Sequence, residues 1–127
     1  MFTVLVCGGR DYDDYHKLES VLLSLCDKKK LWQLSSKSLR NSLRVVTGAC
    51  PTGADHLAKA WAGLWDARYQ GYPADWKKFG LRAGPVRNQE MINSEKIDLM
   101  IAFPGGAGTR DCVWRARKAG IPVQEVK

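Results

Sequence analysis

Three glycine-containing segments carry the residues best suited to chemistry in this sequence. They lie at residues 8–9, 48–53 and 105–108, and each follows a predicted strand and precedes a predicted helix. Glycine permits positive φ and lets a bound group approach the backbone closely. The first turn of a helix has unpaired N–H groups and a partial positive charge, so such a segment can bind an anion, most often phosphate. The alternative for any one of them is a tight turn without a ligand.

The third of these segments is the one around which the predicted site is built. The apolar run Ile97–Phe103 predicts a strand covered on both faces of a parallel sheet. Pro104 ends it, because proline has no N–H to donate to a neighbouring strand. A helix is predicted from about Thr109 to Ala119. The glycines between strand and helix therefore predict a phosphate-binding turn.

Polar side chains suited to a nucleotide lie beside these turns in the sequence. Arg10 and Arg87 can pair with phosphate through a planar guanidinium, and Thr109 can donate its hydroxyl and backbone N–H. Asp55 and Asn88 can bind ribose hydroxyls. The alternatives are that Asp55 caps the helix that follows it and that Arg87 is a surface charge.

The predicted ligand site combines these polar residues with the turns. Because the carboxyl ends of parallel strands lie on one edge of a sheet, the turns are expected to converge there. No G-x-G-x-x-G or G-x-x-x-x-G-K-[ST] motif is present, which disfavours the usual dinucleotide fold and the P-loop ATPases. The predicted ligand-binding residues are Gly8, Gly9, Arg10, Gly48, Ala49, Gly53, Asp55, Arg87, Asn88, Pro104, Gly105, Gly106, Gly108 and Thr109.

Strands and helices alternate along the whole chain. The predicted strands cover 2–7, 43–47, 68–72, 97–103 and 121–126, and helices are predicted to start near residues 13, 52, 85 and 109. Residues 73–84 are predicted to form a loop or a broken helix. This alternation predicts right-handed βαβ crossovers. The fold class is therefore α/β, a single Rossmann-like three-layer domain over residues 1–127 with a parallel sheet of about five strands.

Composition limits the partners. The net charge of +7 favours anionic partners, meaning nucleotides, nucleic acid or an acidic protein surface. Most of the basic side chains between residues 27 and 43 are expected to be solvated, with a nucleic-acid patch as the alternative. The four cysteines are widely spaced, so we expect free thiols in a reducing cytoplasm, with no metal site and no cofactor. No apolar run approaches the roughly 20 residues of a membrane span, and the N-terminus lacks the features of a signal peptide.

Four stretches together resemble a known family. They are VCGGRD (6–11), TGACPTGADHLAKAWA (47–62), PADWKKFGLRAGPVRNQEM (73–91) and AFPGGAGT (102–109). In this order they are similar to the YspA-like, cpYpsA-related branch of the SLOG superfamily, leaving mainly residues 27–43 outside. The resemblance implies a compact Rossmann-like domain of bacteria or their phages that senses or processes nucleotides or nucleotide-derived ligands.

Two relatives of that family imply different activities. In the lonely-guy phosphoribohydrolases, an arginine and the glutamate of PGGxGTxxE cleave the base from a nucleoside monophosphate. Arg87 matches that arginine, whereas the glutamate position is Cys112 and the nearest carboxylate is Asp111. The other relative, DNA-processing protein A, binds single-stranded DNA, which would use the basic face and stack bases on Trp32 and Trp76.

The sequence therefore predicts a nucleotide-binding protein with phosphate on the Gly105–Thr109 turn and Arg87 clamping it. It would act as a sensor, a sequestering protein or a hydrolase of the N-glycosidic bond, with Arg87, Asp55 and Asp111 as candidate catalytic residues. A single-stranded DNA-binding module is the alternative. A homodimer is a further expectation, since related folds often pair through helices.

Overall fold

The computed structural model describes residues 1–32 and 38–127, which form a five-stranded parallel sheet between helices on both faces. The α/β prediction is thus confirmed. The strands are β1 (Phe2–Cys7), β2 (Leu43–Thr47), β3 (Arg68–Gly71), β4 (Leu99–Ala102) and β5 (Val123–Glu125). The helices are α1 (Tyr15–Lys28), α2 (Gly53–Leu64), α3 (Trp76–Phe79), α4 (Ala83–Ser94) and α5 (Ala107–Lys118), with a 3-10 turn at Gly80–Arg82.

The order of the strands places a crevice at the middle of the sheet. They run β3-β2-β1-β4-β5, and every neighbouring pair is parallel. In the central strand, Val4 pairs with Val45 on one side and with Leu99 on the other. The chain therefore moves outward in one direction from β1 to β3 and then resumes on the other side at β4. Ligands of open α/β sheets bind outside the carboxyl ends of the strands at such a reversal.

Alternation along β1 explains why helices cover both faces. Val4 and Val6 point into the core beneath α1 and α2, whereas Leu5 and Cys7 point into the core beneath α4 and α5. All four side chains are at most 8% exposed. A central parallel strand is apolar at every position because both of its faces are covered, and this burial fixes the end of β1 in the middle of the carboxyl edge.

Several predicted boundaries were wrong by one or two residues. Helix α5 begins at Ala107 rather than near Thr109, since Gly106 O accepts from Arg110 N (3.0 Å) and closes the first helical turn there. Strand β4 covers only 99–102 of the predicted 97–103, because its pairing with β1 begins at Leu99. Strand β5 likewise covers 123–125 of the predicted 121–126, and β3 ends at Gly71 rather than at residue 72.

The basic segment does not adjoin the glycine turns. Lys29 Nζ lies 5.8 Å from the ring of Phe2, which places the end of α1 at the amino edge of the sheet. Among the other basic residues of this segment, Arg40 pairs with Asp66 (2.9 Å), and Lys37 lies outside the described residues. Among the described helices, none is long and apolar enough to cross a membrane.

Candidate functional site

The three glycine turns converge at the carboxyl edge. We call residues 8–11 the β1 turn, residues 48–53 the β2 turn and residues 104–109 the β4 turn. The β1 turn joins the other two, because Gly9 N donates to Pro104 O (2.9 Å) and Gly9 O accepts from Ala54 N (3.2 Å), the second residue of α2. The predicted convergence is therefore confirmed for the backbone.

Two of the glycines are required where these turns touch. A Cβ on Gly8 would lie 2.6 Å from the Cβ of Ala54, and a Cβ on Gly53 would overlap Gly9 O. Gly53 also has φ of +73°, in the left-handed region that favours glycine. Glycine at these positions permits the close approach of α2 to the β1 turn, which is a packing role.

The polar groups of the β2 turn are engaged within the protein. Ala49 N donates to Thr47 Oγ1 (3.1 Å), and Cys50 N donates to Asp55 Oδ2 (3.1 Å). The carbonyl of Gly48 accepts from Arg87 Nη1 (2.5 Å). Ala49 has φ of +57°, a strained value for a residue with a Cβ, and these hydrogen bonds hold it there.

Asp55 turns inward to the β2 turn. The side chain is 8% exposed, and burial raises the pKa of its carboxyl above the usual value. The backbone N–H groups of Cys50 and Gly48 and the guanidinium of Arg87 oppose that rise by stabilising the ionised form. Asp55 therefore stabilises its own turn, and its predicted contact with a sugar stays a prediction.

Arg87 and Asp111, both candidate catalytic residues, are joined through Asn88. Arg87 Nε donates to Asn88 Oδ1 (2.8 Å), and Asn88 Nδ2 donates to Asp111 Oδ2 (3.0 Å). The same oxygen of Asp111 accepts from Arg115 Nε (2.9 Å). Two residues from α4 and two from α5 thus form one hydrogen-bonded chain, in which the carboxylate of Asp111 accepts from two donors.

A second group of residues positions Arg87 and was missed at the sequence level. The carbonyl of Tyr72 accepts from Arg87 Nη1 (3.4 Å), while its hydroxyl donates to Glu95 Oε2 (2.5 Å). Arg44 binds both oxygens of Glu95 at 2.9 Å. These contacts lower the pKa of Glu95, and the hydrogen bond from Arg44 is the largest cause of that shift. Burial raises the pKa of Tyr72 to about 12. No motif marks this group, because its members are far apart in the chain.

The β4 turn differs from the β2 turn in being open. Residues 104–108 are exposed, and a Cβ on Gly106 or Gly108 would meet no atom within 4 Å. Gly105 is the exception, because its Cβ would overlap Thr109 Oγ1. Since α5 begins at Ala107, its first N–H groups have no acceptor within the helix. The turn therefore presents amide donors and the positive end of a helix at an accessible surface.

Arg10 and Trp76 lie together beside the β1 turn. Arg10 Cζ is 5.6 Å from the centre of the Trp76 ring, and Trp76 is 48% exposed. The other tryptophan predicted to stack bases, Trp32, instead donates to Asp27 Oδ1 (2.9 Å) and packs edge-on against Trp65. Of the two predicted tryptophans, Trp76 has the accessible ring.

Cys112 occupies the position of the glutamate in the PGGxGTxxE pattern. It is 2% exposed and packs in the core beneath α5 together with Cys7. A hydrogen bond with Cys112 is the largest cause that raises the pKa of the Cys7 thiol well above its usual value, followed by burial. A carboxylate at position 112 would be desolvated here, whereas a small thiol packs without that cost.

Comparison with known proteins identifies a family for residues 2–79, a region that includes the β1 and β2 turns but not the β4 turn. The model of the YspA, cpYpsA-related SLOG family matches residues 2–79. The Gene 61 protein of Mycobacterium phage D29 is 39% identical in an alignment 109 residues long, which covers 76% of this chain and 84% of the phage protein.

Solved structures add information on the fold alone. A crystal structure of the C-terminal domain of the PF1911 hydrogenase from Pyrococcus furiosus has a TM-score of 0.53 at 13% identity, covering 98% of this chain and 91% of that one. A second crystal structure of this domain has a TM-score of 0.51 at 11% identity, covering 99% and 91%. The family match spans more than half of the chain and includes the β1 and β2 turns, and the protein belongs to the YspA, cpYpsA-related SLOG family.

Proposed function

We propose that this protein binds a nucleotide or nucleotide-derived ligand with its phosphate on the β4 turn. The observation that carries the proposal is the exposed start of α5, where Gly106 and Gly108 leave open space above the amide donors. Membership of the SLOG family supports nucleotide-related binding in general. The net charge of +7 favours an anionic ligand.

Sensing or sequestration fits the site better than cleavage of the N-glycosidic bond. Asp111 is the carboxylate nearest in sequence to the glutamate of the related hydrolases, and its Oδ2 already accepts from Asn88 and Arg115. Arg87 donates to Gly48 O and Tyr72 O. General acid–base work needs a group within hydrogen-bond reach of the reacting atom. Binding needs only the β4 turn, so the proposed function does not require turnover.

The test is a thermal-unfolding panel with AMP, ADP-ribose, NAD, cyclic nucleotides and a short single-stranded oligonucleotide. A ligand at about 100 times its Kd adds roughly 2.7 kcal/mol to the free energy of unfolding, which raises the Tm by several degrees. We expect such a shift with a small nucleotide. Gly106→Val should abolish it while the free protein keeps the circular-dichroism spectrum of a folded chain, because the valine would fill the open space above the turn.

Gly63→Val is the matched control. Gly63 lies in α2, where an added Cβ would also meet no atom within 4 Å, but at the other end of that helix from the turns. The control should keep the ligand-induced shift. An unchanged shift in Gly106→Val would remove the β4 turn from the site.

Single-stranded DNA binding is the second candidate, and one observation favours it. The outer face of α5 exposes Arg110, Trp114 and Lys118, a basic and aromatic combination suited to stacked bases and phosphates. Lys28–Lys30 lie at the amino edge, away from that face. A shift with the oligonucleotide alone, fading as salt increases, would select this candidate. The homodimer stays a prediction.

A further inference from the structure

A groove lies next to the β4 turn, between α5 and the end of β5. Its volume is about 440 Å³, near the lower end of the roughly 300–1,000 Å³ typical of ligand pockets. We call it the α5–β5 groove. Its lining includes Gly105, Thr109, Trp114 and Glu125. Because Gly105 and Thr109 belong to the β4 turn, a ligand with phosphate on that turn is already at the mouth of the groove.

The apolar part of the groove is suited to a flat ring. Phe103 and Val113 line it and are 1% and 6% exposed, whereas Trp114 is 57% exposed. Lys118 Nζ lies 4.9 Å from the centre of the Trp114 ring and Arg115 Cζ lies 5.9 Å from it. Aromatic side chains stack on any nucleobase, because every base has a π face.

The polar part of the groove has both signs of charge. Arg110 and Arg117 line it, and Arg117 Nη2 lies 3.0 Å from Glu125 Oε2. The side chains of this ion pair are 56% and 58% exposed, so the pair itself contributes little to stability and can be exchanged for contacts with a ligand. Glu125 can accept from an N–H or O–H of a base or sugar, while the arginines attract the phosphate.

Space on the opposite side of the β4 turn is taken up by the protein itself. Asn88 Nδ2 donates to Gly108 O (3.4 Å) and to Asp111 Oδ2 (3.0 Å), and Arg115 approaches the same carboxylate. A cavity of about 640 Å³ lies farther along the α4 side, lined by residues such as Gln89 and Arg115, but none of its lining residues belongs to the β4 turn. The part of a ligand that extends beyond a phosphate on the turn therefore reaches the α5–β5 groove, whose lining includes Gly105 and Thr109.

We infer that the α5–β5 groove is the nucleoside subsite of the nucleotide site, with the base stacked on Trp114 and Glu125 accepting from the base or the sugar. The inference rests on the proposed function, since the phosphate must bind the β4 turn. The ligand is therefore a nucleoside monophosphate, because the groove adjoins the β4 turn and its volume is that of a single small-ligand pocket.

Isothermal titration of the full chain with AMP and with ribose 5-phosphate tests the inference. We expect AMP to bind more tightly than ribose 5-phosphate, which lacks a base. Trp114→Ala should weaken AMP binding about tenfold or more and leave ribose 5-phosphate binding unchanged. Trp114→Phe should retain most of the AMP affinity, because it keeps an aromatic ring. Since Trp114 is largely exposed, both variants are expected to fold.

Trp76→Ala is the matched control, because Trp76 is also an exposed tryptophan beside a cation. It should leave both affinities unchanged. Loss of AMP affinity in Trp76→Ala but not in Trp114→Ala would place the base beside Arg10 and overturn the inference, while the phosphate site would stand. Loss of oligonucleotide binding alone in Trp114→Ala would make this face a DNA surface. If neither small ligand binds the wild type but another nucleotide of the thermal-unfolding panel raises its Tm, the inference fails and the proposed function stands. If no nucleotide of that panel raises the Tm, both fail.

Discussion

The β2 turn and the β4 turn lie at the carboxyl edge of the sheet on either side of the β1 turn, yet their glycines have different roles. In the β2 turn, Asp55 accepts the amide of Cys50, and Arg87 donates to the carbonyl of Gly48. In the β4 turn, Gly106 and Gly108 face open space and the amides of α5 are accessible. A glycine-rich strand-to-helix turn can thus be filled by its own protein or left open for a ligand.

The difference follows from which side chains reach each turn. The β2 turn has a carboxylate in its own helix and a guanidinium from α4 close to its backbone, so its polar groups are satisfied internally. In the β4 turn, the second residue of α5 is Gly108, which has no side chain to reach the backbone of the turn. The third, Thr109, packs against Gly105 and leaves the amides at the start of α5 uncovered. Ligand binding is therefore expected at the β4 turn, where the backbone amides lack side-chain partners. The β2 turn, whose polar groups are hydrogen-bonded within the protein, has a structural role.

The largest expected effect tests whether the glycines of the β2 turn are structural. Gly53→Ala should lower the free energy of unfolding by about 3 kcal/mol, because the new Cβ would overlap Gly9 O at a left-handed φ. Gly108→Ala is the control, and it should raise stability by about 0.5–1 kcal/mol, since alanine favours a helix and meets no atom there. Urea unfolding measures both. Equal effects would contradict the contrast between the turns.

A smaller loss is expected from removing the guanidinium that fills the β2 turn. Arg87→Ala should cost about 2–3 kcal/mol in the free energy of unfolding, because the buried carbonyl of Gly48 loses its charged donor. Arg110→Ala, at an exposed arginine beside the β4 turn, should change stability by less than about 0.5 kcal/mol. If Arg87→Ala were as stable as Arg110→Ala but bound phosphate ligands weakly, Arg87 would be a phosphate clamp and not a support for the β2 turn.

The smallest expected effect is a pH trend at Asp55. Burial raises the folded-state pKa of Asp55 above its unfolded value, so the folded state binds its proton more tightly. That contribution to stability is fully present below the unfolded pKa and is lost as the pH rises through the folded pKa. Asp55→Asn removes this trend. The stability of the variant relative to the wild type should therefore improve from about pH 3.5 upwards, whereas a pH-independent difference between the two urea midpoints would exclude the raised pKa.

The fold could be predicted because its signals are local. Apolar runs such as that ending at Phe103 reveal a strand buried on both faces, and glycine after such a strand marks the turn to a helix. The convergence of the three turns followed from the parallel sheet alone. The boundaries could not be predicted as closely, because the ends of β4 and β5 depend on where a neighbouring strand offers a partner.

The site was less predictable because its contacts join distant parts of the chain. The hydrogen bonds from Arg87 to Gly48 and Tyr72 have no signature at any of the three residues. The inward orientation of Asp55 depends on how the β2 turn folds back on α2. Trp114 was missed as well, although its spacing of four residues from Arg110 and from Lys118 in the predicted helix is a signal that could have placed the three side chains on one face.

The hydrogen bond from Gly9 N to Pro104 O has a consequence for the dynamics of the crevice. It joins the two loops on either side of the strand-order reversal, which are contributed by opposite ends of the chain. Contacts between such distant segments form only after much of the chain is ordered, so we expect this hydrogen bond to form late in folding. In the native protein its transient opening exposes the Gly9 amide to solvent. The exchange rate of that single proton therefore measures how often the crevice opens, and a ligand that bridges the two loops would slow it.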